Sequence, residues 1–367
     1  LLEIPTWPTT NVMLALDRPR EAGLYEVITS LLTFGLLLGP LLAGARIETA
    51  IYGLGVYAVV RFVLSFAWLH RVLPPSTEAL PADFGRQQAR FSIPLGLNTA
   101  VNRLNRHAGR LIVAYLLPAA ALAEYQVAGQ EIPVVAVVPL AVGSVLISRF
   151  VAFELEGRRE ELIALWYRAI ERTTLLVVPL TVAGITLAPD LVPLVATRAY
   201  TGSVLPFQLF NLIVLMRVTS YGTILQAFGD TRGLLRITLL TLVLNVVLTF
   251  PLTFALGLVG TALGAVLANW LAWAVLLRRI GHHLKLPARR VLPFPYYGRV
   301  LAVAAVCGGV TAALRALVSL PPWAGLLGGL AAFFALFALA GTGVGVITRA
   351  DWNRLRRQTG GAVVSSP

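Results

Sequence analysis

"AFGDTRGL", residues 227–234, repeats the pattern of "ALDRPREAGL", residues 15–24: an alanine, an acid, an arginine, and a Gly-Leu pair that opens a long apolar run. The likeness continues outward. "TAI" at 49–51 answers "TAL" at 261–263, and the runs they open end in His70-Arg71 and Arg278-Arg279. The spacings are 212 (15 to 227), 210 (23 to 233), 212 (49 to 261) and 208 (71 to 279). Four near-equal spacings define an internal repeat, and its period is far longer than the roughly 20–50 residues of a solenoid unit. Each copy must be a whole lobe.

Composition says what the lobes are made of. The chain is 57% hydrophobic and 13% charged, with a mean hydropathy of +0.79, well outside the habits of soluble domains. Apolar windows of about 20 residues fall near 22–44, 48–69, 91–117, 129–151, 172–194, 204–227, 234–256, 258–277, 298–319 and 322–346, with a partial span at 1–16. Period-two alternation is absent, which excludes a barrel. The expected fold is an all-α polytopic membrane protein.

A net charge of +13 raises the question of nucleic acid, and its distribution answers it. Of the loops numbered alternately, one set carries almost all the basic residues, from Arg18 and Arg20 through Arg158, Arg159, Arg278 and Arg279 to Arg356 and Arg357. The other set carries Arg46, Arg198 and Arg315. This is the positive-inside asymmetry. It predicts a multi-pass protein of the cytoplasmic membrane with its C-terminus in the cytoplasm. The basic loops then meet the anionic headgroups of membrane lipids, and no nucleic-acid partner is expected.

The loops at 17–21 and 229–233 fall on the same side, so the two copies are parallel, an arrangement known for lobes related by an axis along the membrane normal. The second lobe is expected at 90–281. The first is represented by its last three spans, 1–71, so about 120 residues of it are expected to precede this sequence. Residues 72–89, "VLPPSTEALPADFGRQQA", read as a cytoplasmic linker. Residues 282–297 read as a cytoplasmic loop, 298–346 as two appended transmembrane helices, and 347–367 as a cytoplasmic tail. The charged stretch 152–171 predicts an interfacial helix, with Glu154 and Arg158 paired one turn apart.

The third span holds a contradiction. "NTAVNRLNRHAGRLIVAY", residues 98–115, places Arg103, Arg106 and Arg110 near the middle of a membrane helix. At about 100° per residue the three fall within about 60° of helix surface. Asn98, Asn102 and Asn105 adjoin them, and Leu104, Ala108, Leu111 and Ile112 lie opposite. A midplane arginine costs at least about 2.5–3.5 kcal/mol facing lipid, so the stripe must face protein or a wet cavity. One reading pairs the arginines with Glu131, Glu26, Glu3 or Glu48. The embedded cations, with Arg61 and Arg217 added, outnumber the embedded acids, and the surplus points to an anionic ligand whose phosphate oxygens suit guanidinium forks. The asparagines fit sugar hydroxyls or interhelical bonds equally. Gln208, Asn211, Arg217, Thr219 and Ser220 form a second polar wall.

The single Cys307 lies in an apolar span and excludes a disulfide framework. The histidines show no ligand spacing, so no metal or other cofactor is expected. No nucleophile–base pair or phosphate-cradling loop is present, which argues against an enzyme.

Six plus six plus two spans, with Pro94 near the start of the seventh, resemble the multidrug/oligosaccharidyl-lipid/polysaccharide exporter superfamily, and most nearly its polysaccharide-type lipid-linked oligosaccharide flippases. The resemblance is carried by "FSIPLGLNTAVNRLNRHAGRLIVAYLLPAAALAEYQVAGQEIP" (91–133) and "FALGLVGTALGAVLANWLAWAVLLRRI" (254–280). It covers the fourth to the fourteenth family helix of a 14-helix plan. It implies a polyprenyl-pyrophosphate-linked oligosaccharide as substrate, flipped by alternating access for cell-surface polysaccharide synthesis, with polysaccharide-assembly proteins as further partners. The residues read above from the stripe and its surplus charge, Arg61, Asn98, Asn102, Arg103, Asn105, Arg106, Arg110 and Arg217, are the expected lining of the substrate cavity. Gly109 stands where relatives often carry an aspartate. A multidrug/cation antiporter on the same fold, and a polyprenyl-pyrophosphate-using glycosyltransferase or polymerase, are the rival functions. The first would need cavity carboxylates. The second would need a large external loop or a metal-binding acidic pair.

Overall fold

The computed structural model describes residues 6, 9–16, 18–44, 46–73, 81–318 and 320–347. Glu3, Asp17, residues 74–80 of the linker and the tail from 348 lie outside the described residues. Among those described, every regular element is helical, as an all-α polytopic membrane protein requires. The chain divides into two compact units, Leu1–Phe84 and Gly85–Pro367.

The first unit holds α1 (Thr9–Ala15), α2 (Pro19–Leu42) and α3 (Ile47–Val72). Pro19 opens α2 at the one helical position that loses nothing by lacking an N–H. The two long helices touch where Gly53 of α3 lies so close to the Leu36 carbonyl that a Cβ could not fit. Met13, Ala22 and Tyr25 form a buried cluster covered by Trp68. Tyr25 shares a 2.6 Å hydrogen bond with Ser65, and Trp68 Nε1 donates to Glu21 at 2.7 Å.

The second unit holds α4 (Phe84–Leu116), α5 (Ala119–Ala128), α6 (Pro133–Leu155), α7 (Arg159–Thr186), α8 (Ala188–Ala196), α9 (Val204–Met216), α10 (Tyr221–Ala227), α11 (Thr231–Leu284), α12 (Phe294–Leu317) and α13 (Pro322–Gly343). Its core gathers Phe150, Trp166, Ile170, Ile224, Ile280, Ala304 and Phe333 from α6, α7, α10, α11, α12 and α13. A straight helix of 54 residues would run about 80 Å at 1.5 Å per residue, but α11 does not. At Gly257 the backbone turns to φ 59°, ψ −138°, a conformation open to glycine alone. Thr253 and Thr261 then share a 2.9 Å hydrogen bond, and Asp230 meets Arg279 at 2.6 Å. The element is an antiparallel hairpin whose arms are the spans expected at 234–256 and 258–277.

Eight described helices are long and apolar enough to cross a membrane. With α11 counted as two passes and α4 added, they match the ten spans expected. The arginines of α4 keep it off the hydropathy count although its 33 residues suffice in length.

Four local expectations need correction. The stretch 152–171 is not a separate interfacial helix, because α7 runs unbroken from Arg159 to Thr186. Leu162, Trp166 and Ile170 recur on one face and are fully buried in the core, so burial outweighs the charges on the other face. Arg158 pairs with Glu156 at 2.8 Å and Glu161 at 2.6 Å rather than with Glu154. Gly157, at φ 71°, turns the chain between them. The span at 172–194 breaks at Leu187, and Pro189 opens α8. The span at 204–227 breaks at 217–220. There the Tyr221 and Tyr297 hydroxyls donate to the Met216 and Leu215 carbonyls at 2.7 and 2.9 Å, satisfying groups the break frees. α4 begins at Phe84, inside the stretch read as linker, and α5 fills the connection that follows it.

Candidate functional site

α4 is the frame of the site. Its buried residues are Pro94, Asn98, Ala108, Gly109, Ile112 and Val113, and at about 100° per residue they share one face. Arg103, Arg106 and Arg110 lie on the adjoining face, roughly 120° round the helix from the centre of the buried one, and all three are exposed. Leu104 and Leu111, on the flank expected to be covered, are 52% and 62% exposed. The helix therefore packs against its own unit by the asparagine face and turns the arginines away from it.

Two of the asparagines are engaged in that packing. Thr238 Oγ1 on the first arm of α11 donates to Asn98 Oδ1 at 2.6 Å, and Asn245 Nδ2 donates to Asn105 Oδ1 at 2.8 Å. Each bond joins partners 140 residues apart in sequence, and the two bonds lie two turns apart on each helix. They fix the register of α4 on α11, and with it the direction of the arginines. Asn102, between them, is half-buried.

Among the described residues no carboxylate pairs with Arg103, Arg106 or Arg110. Arg110 Nη2 donates to Gln126 Oε1 of α5 at 2.9 Å. Of the acids named as counter-ions, Glu131 takes Arg217 at 2.5 Å, Glu26 accepts from Thr10 at 2.6 Å, Glu48 is exposed in the first turn of α3, and Glu3 lies outside the described residues. Arg217 stands at the break between α9 and α10, so its ion pair bridges the broken helix to the loop before α6. It also lines a cavity of about 140 Å³ with Thr241, Asn269 and Trp273. Arg61 belongs to the first unit, where it donates to Tyr57 Oη at 3.1 Å and sits 5.9 Å from that ring. Gln208, expected on the polar wall, donates to the Ile185 carbonyl, and Asn211 to the Phe207 carbonyl.

Two features escaped the sequence reading. The first is the Arg217–Glu131 pair, whose partners are 86 residues apart. The second is the reason for Gly109. A Cβ there would collide with the Tyr125 hydroxyl, and the Tyr125 ring is held edge-on to Phe210, centroids 5.7 Å apart. Tyr125 thus occupies the volume an aspartate at 109 would need.

Among the described residues, α4 is thus a helix of membrane length that carries three arginines without a carboxylate partner. No curated protein matches the chain. Residues 24–205 match the family described as "Polysaccharide biosynthesis protein", and this match supports a place for the chain among polysaccharide-synthesis proteins of the exporter type.

Proposed function

We propose that the protein is a flippase that moves a polyprenyl-pyrophosphate-linked oligosaccharide across the cytoplasmic membrane by alternating access. The observation that carries this reading is the direction of α4. Its arginine stripe faces away from the unit that holds it and has no carboxylate partner among the described residues. Three guanidiniums at membrane depth are costly against acyl chains, and a pyrophosphate presents oxygens that match their forks in pairs. Headgroup and glycan then lie along the stripe, away from the acyl chains, while the prenyl tail stays in the bilayer. Asn102 is placed beside the arginines for sugar hydroxyls, whereas Asn98 and Asn105 hold the helix in register. Arg217 is a reserve cation, exchanging Glu131 for substrate phosphate. The chemistry is transport, with no bond made or broken in the substrate.

The test replaces Arg103 or Arg110 by Ala in the full chain, expressed in cells that lack their own flippase. Lipid-linked glycan should accumulate in the inner leaflet at normal protein levels, since removing a midplane charge does not cost stability. Lysine keeps the charge but not the fork, so it should restore part of the transport. Wild-type flipping by the alanine variants would remove the pyrophosphate role. A fall in protein level would show the arginines to be structural.

A further inference from the structure

A second basic site stands in the unit's other long element, at the open end of the α11 hairpin. On the first arm Gly233, Arg236 and Ile237 share a face. On the second arm Val275, Arg278, Arg279 and His282 recur at the spacing of one helix face. These faces turn into a single hollow of about 380 Å³. Asp230 neutralises Arg279 and also bonds His283. Arg236 and Arg278 have no carboxylate partner among the described residues, so the hollow keeps net positive charge. Positive-inside asymmetry accounts for basic residues at this end of the helices. It does not account for their convergence on one cavity with an apolar wall of Ile237 and Val275.

We propose that this hollow binds the phosphate of an anionic membrane lipid. Arg236 and Arg279 each sit five residues inside the end of their arm, roughly 7–8 Å at 1.5 Å per residue, which is headgroup depth when the arm ends lie at the membrane surface. Arg236 and Arg278 hold the phosphate oxygens, and Val275, 38% exposed, meets the first carbons of the acyl chains. The site is separate from the α4 stripe and does not depend on the flippase reading.

The experiment uses the full chain in detergent, with bound lipid counted by native mass spectrometry as phosphatidylglycerol is titrated and phosphatidylcholine of the same chains serves as the neutral control. The paired substitution Arg236→Gln with Arg278→Gln should lower phosphatidylglycerol retention about tenfold or more, and the paired lysine substitution should recover part of it. If the glutamine pair fails to fold, Val275→Trp fills the hollow without removing a charge and should cut retention likewise. Millimolar inorganic phosphate should displace the lipid. Unchanged retention in folded variants, equal retention of phosphatidylcholine, or saturable phosphate binding without lipid retention would each overturn the proposal. Flipping activity is read separately with Arg103→Ala, so loss of either result leaves the other standing.

Discussion

The α2–α3 hairpin of the first unit and the α11 hairpin of the second are built to one plan and finished differently. Met13, Ala22, Tyr25 and Trp68 form the small core of the first. Positions 212 further on are Leu225, Leu234, Ile237 and Ile280, all in the core of the second. Each hairpin closes at a glycine too near its neighbour for a Cβ, Gly53 against Leu36 and Gly264 against Thr249. The ends differ. In the first, Glu21 accepts one hydrogen bond from Trp68 across the hairpin and one from exposed Arg18 on its own helix. In the second, Asp230 accepts from Arg279 twice, from His283 and from the Gly233 amide. The positions 212 before Arg236 and Arg278 are Leu24 and Phe66, apolar and 62% and 48% exposed. The comparison teaches that the shared hairpin needs glycine contact and a buried stripe but no basic hollow.

The largest expected difference lies at those ends. Asp230→Asn should destabilise the protein by about 2–4 kcal/mol, because it strands Arg279 and weakens the helix cap. Glu21→Gln should cost about 1 kcal/mol, the worth of one ordinary hydrogen bond. Thermal unfolding in detergent reads both, and equal losses would break the contrast. The same carboxylate predicts a pH signature. Burial opposes its charge, but hydrogen bonds from Arg279, His283 and the Gly233 amide more than offset that and draw its pKa down to about 2. A depressed folded pKa gives stability that is full above the unfolded value of about 3.9 and is lost as pH falls toward 2. Wild type should therefore lose stability between about pH 4 and 2, and Asp230→Asn should lose less of it over that interval.

Next in size, Gly53→Ala and Gly264→Ala should each cost about 1–3 kcal/mol, since the added methyl meets backbone in both hairpins. A neutral effect at one of them would end the likeness at that contact. The smallest effect is expected where α4 rests on α11: Thr238→Val should cost about 0.6–1 kcal/mol by orphaning Asn98. Because that bond sets the helix register, flipping should fall by more than stability does. Flipping that tracks stability alone would show that the register is not what matters.

The passes, the repeat and the arginine stripe were legible because they rest on local composition and period. "AFGDTRGL" and "ALDRPREAGL" mark hairpin starts whatever surrounds them. Residues 152–171 misled, because the buried face of Leu162, Trp166, Ala169 and Ile170 is short and set among many charges. Its partner, the Val291 carbonyl that accepts from Trp166 Nε1 at 2.8 Å, is 125 residues away. The pairing of Glu131 with Arg217 and the shielding of Gly109 by Tyr125 are likewise long-range choices among several available partners. The asparagines showed the opposite limit. Their type and spacing announced a polar face, but only Thr238 and Asn245 disclose what Asn98 and Asn105 touch.

The reversal at Gly257 bears on how the second lobe is made. Two arms of membrane length are joined through one glycine, flanked by Leu256 and Leu258, with no charged residue between Thr249 and Asn269. A hairpin with so small a tip has no polar loop to carry through the bilayer during biosynthesis. Its two arms present one continuous apolar surface from tip to base, and the charged contacts of Asp230 with Arg279 and His283 all sit at the open end.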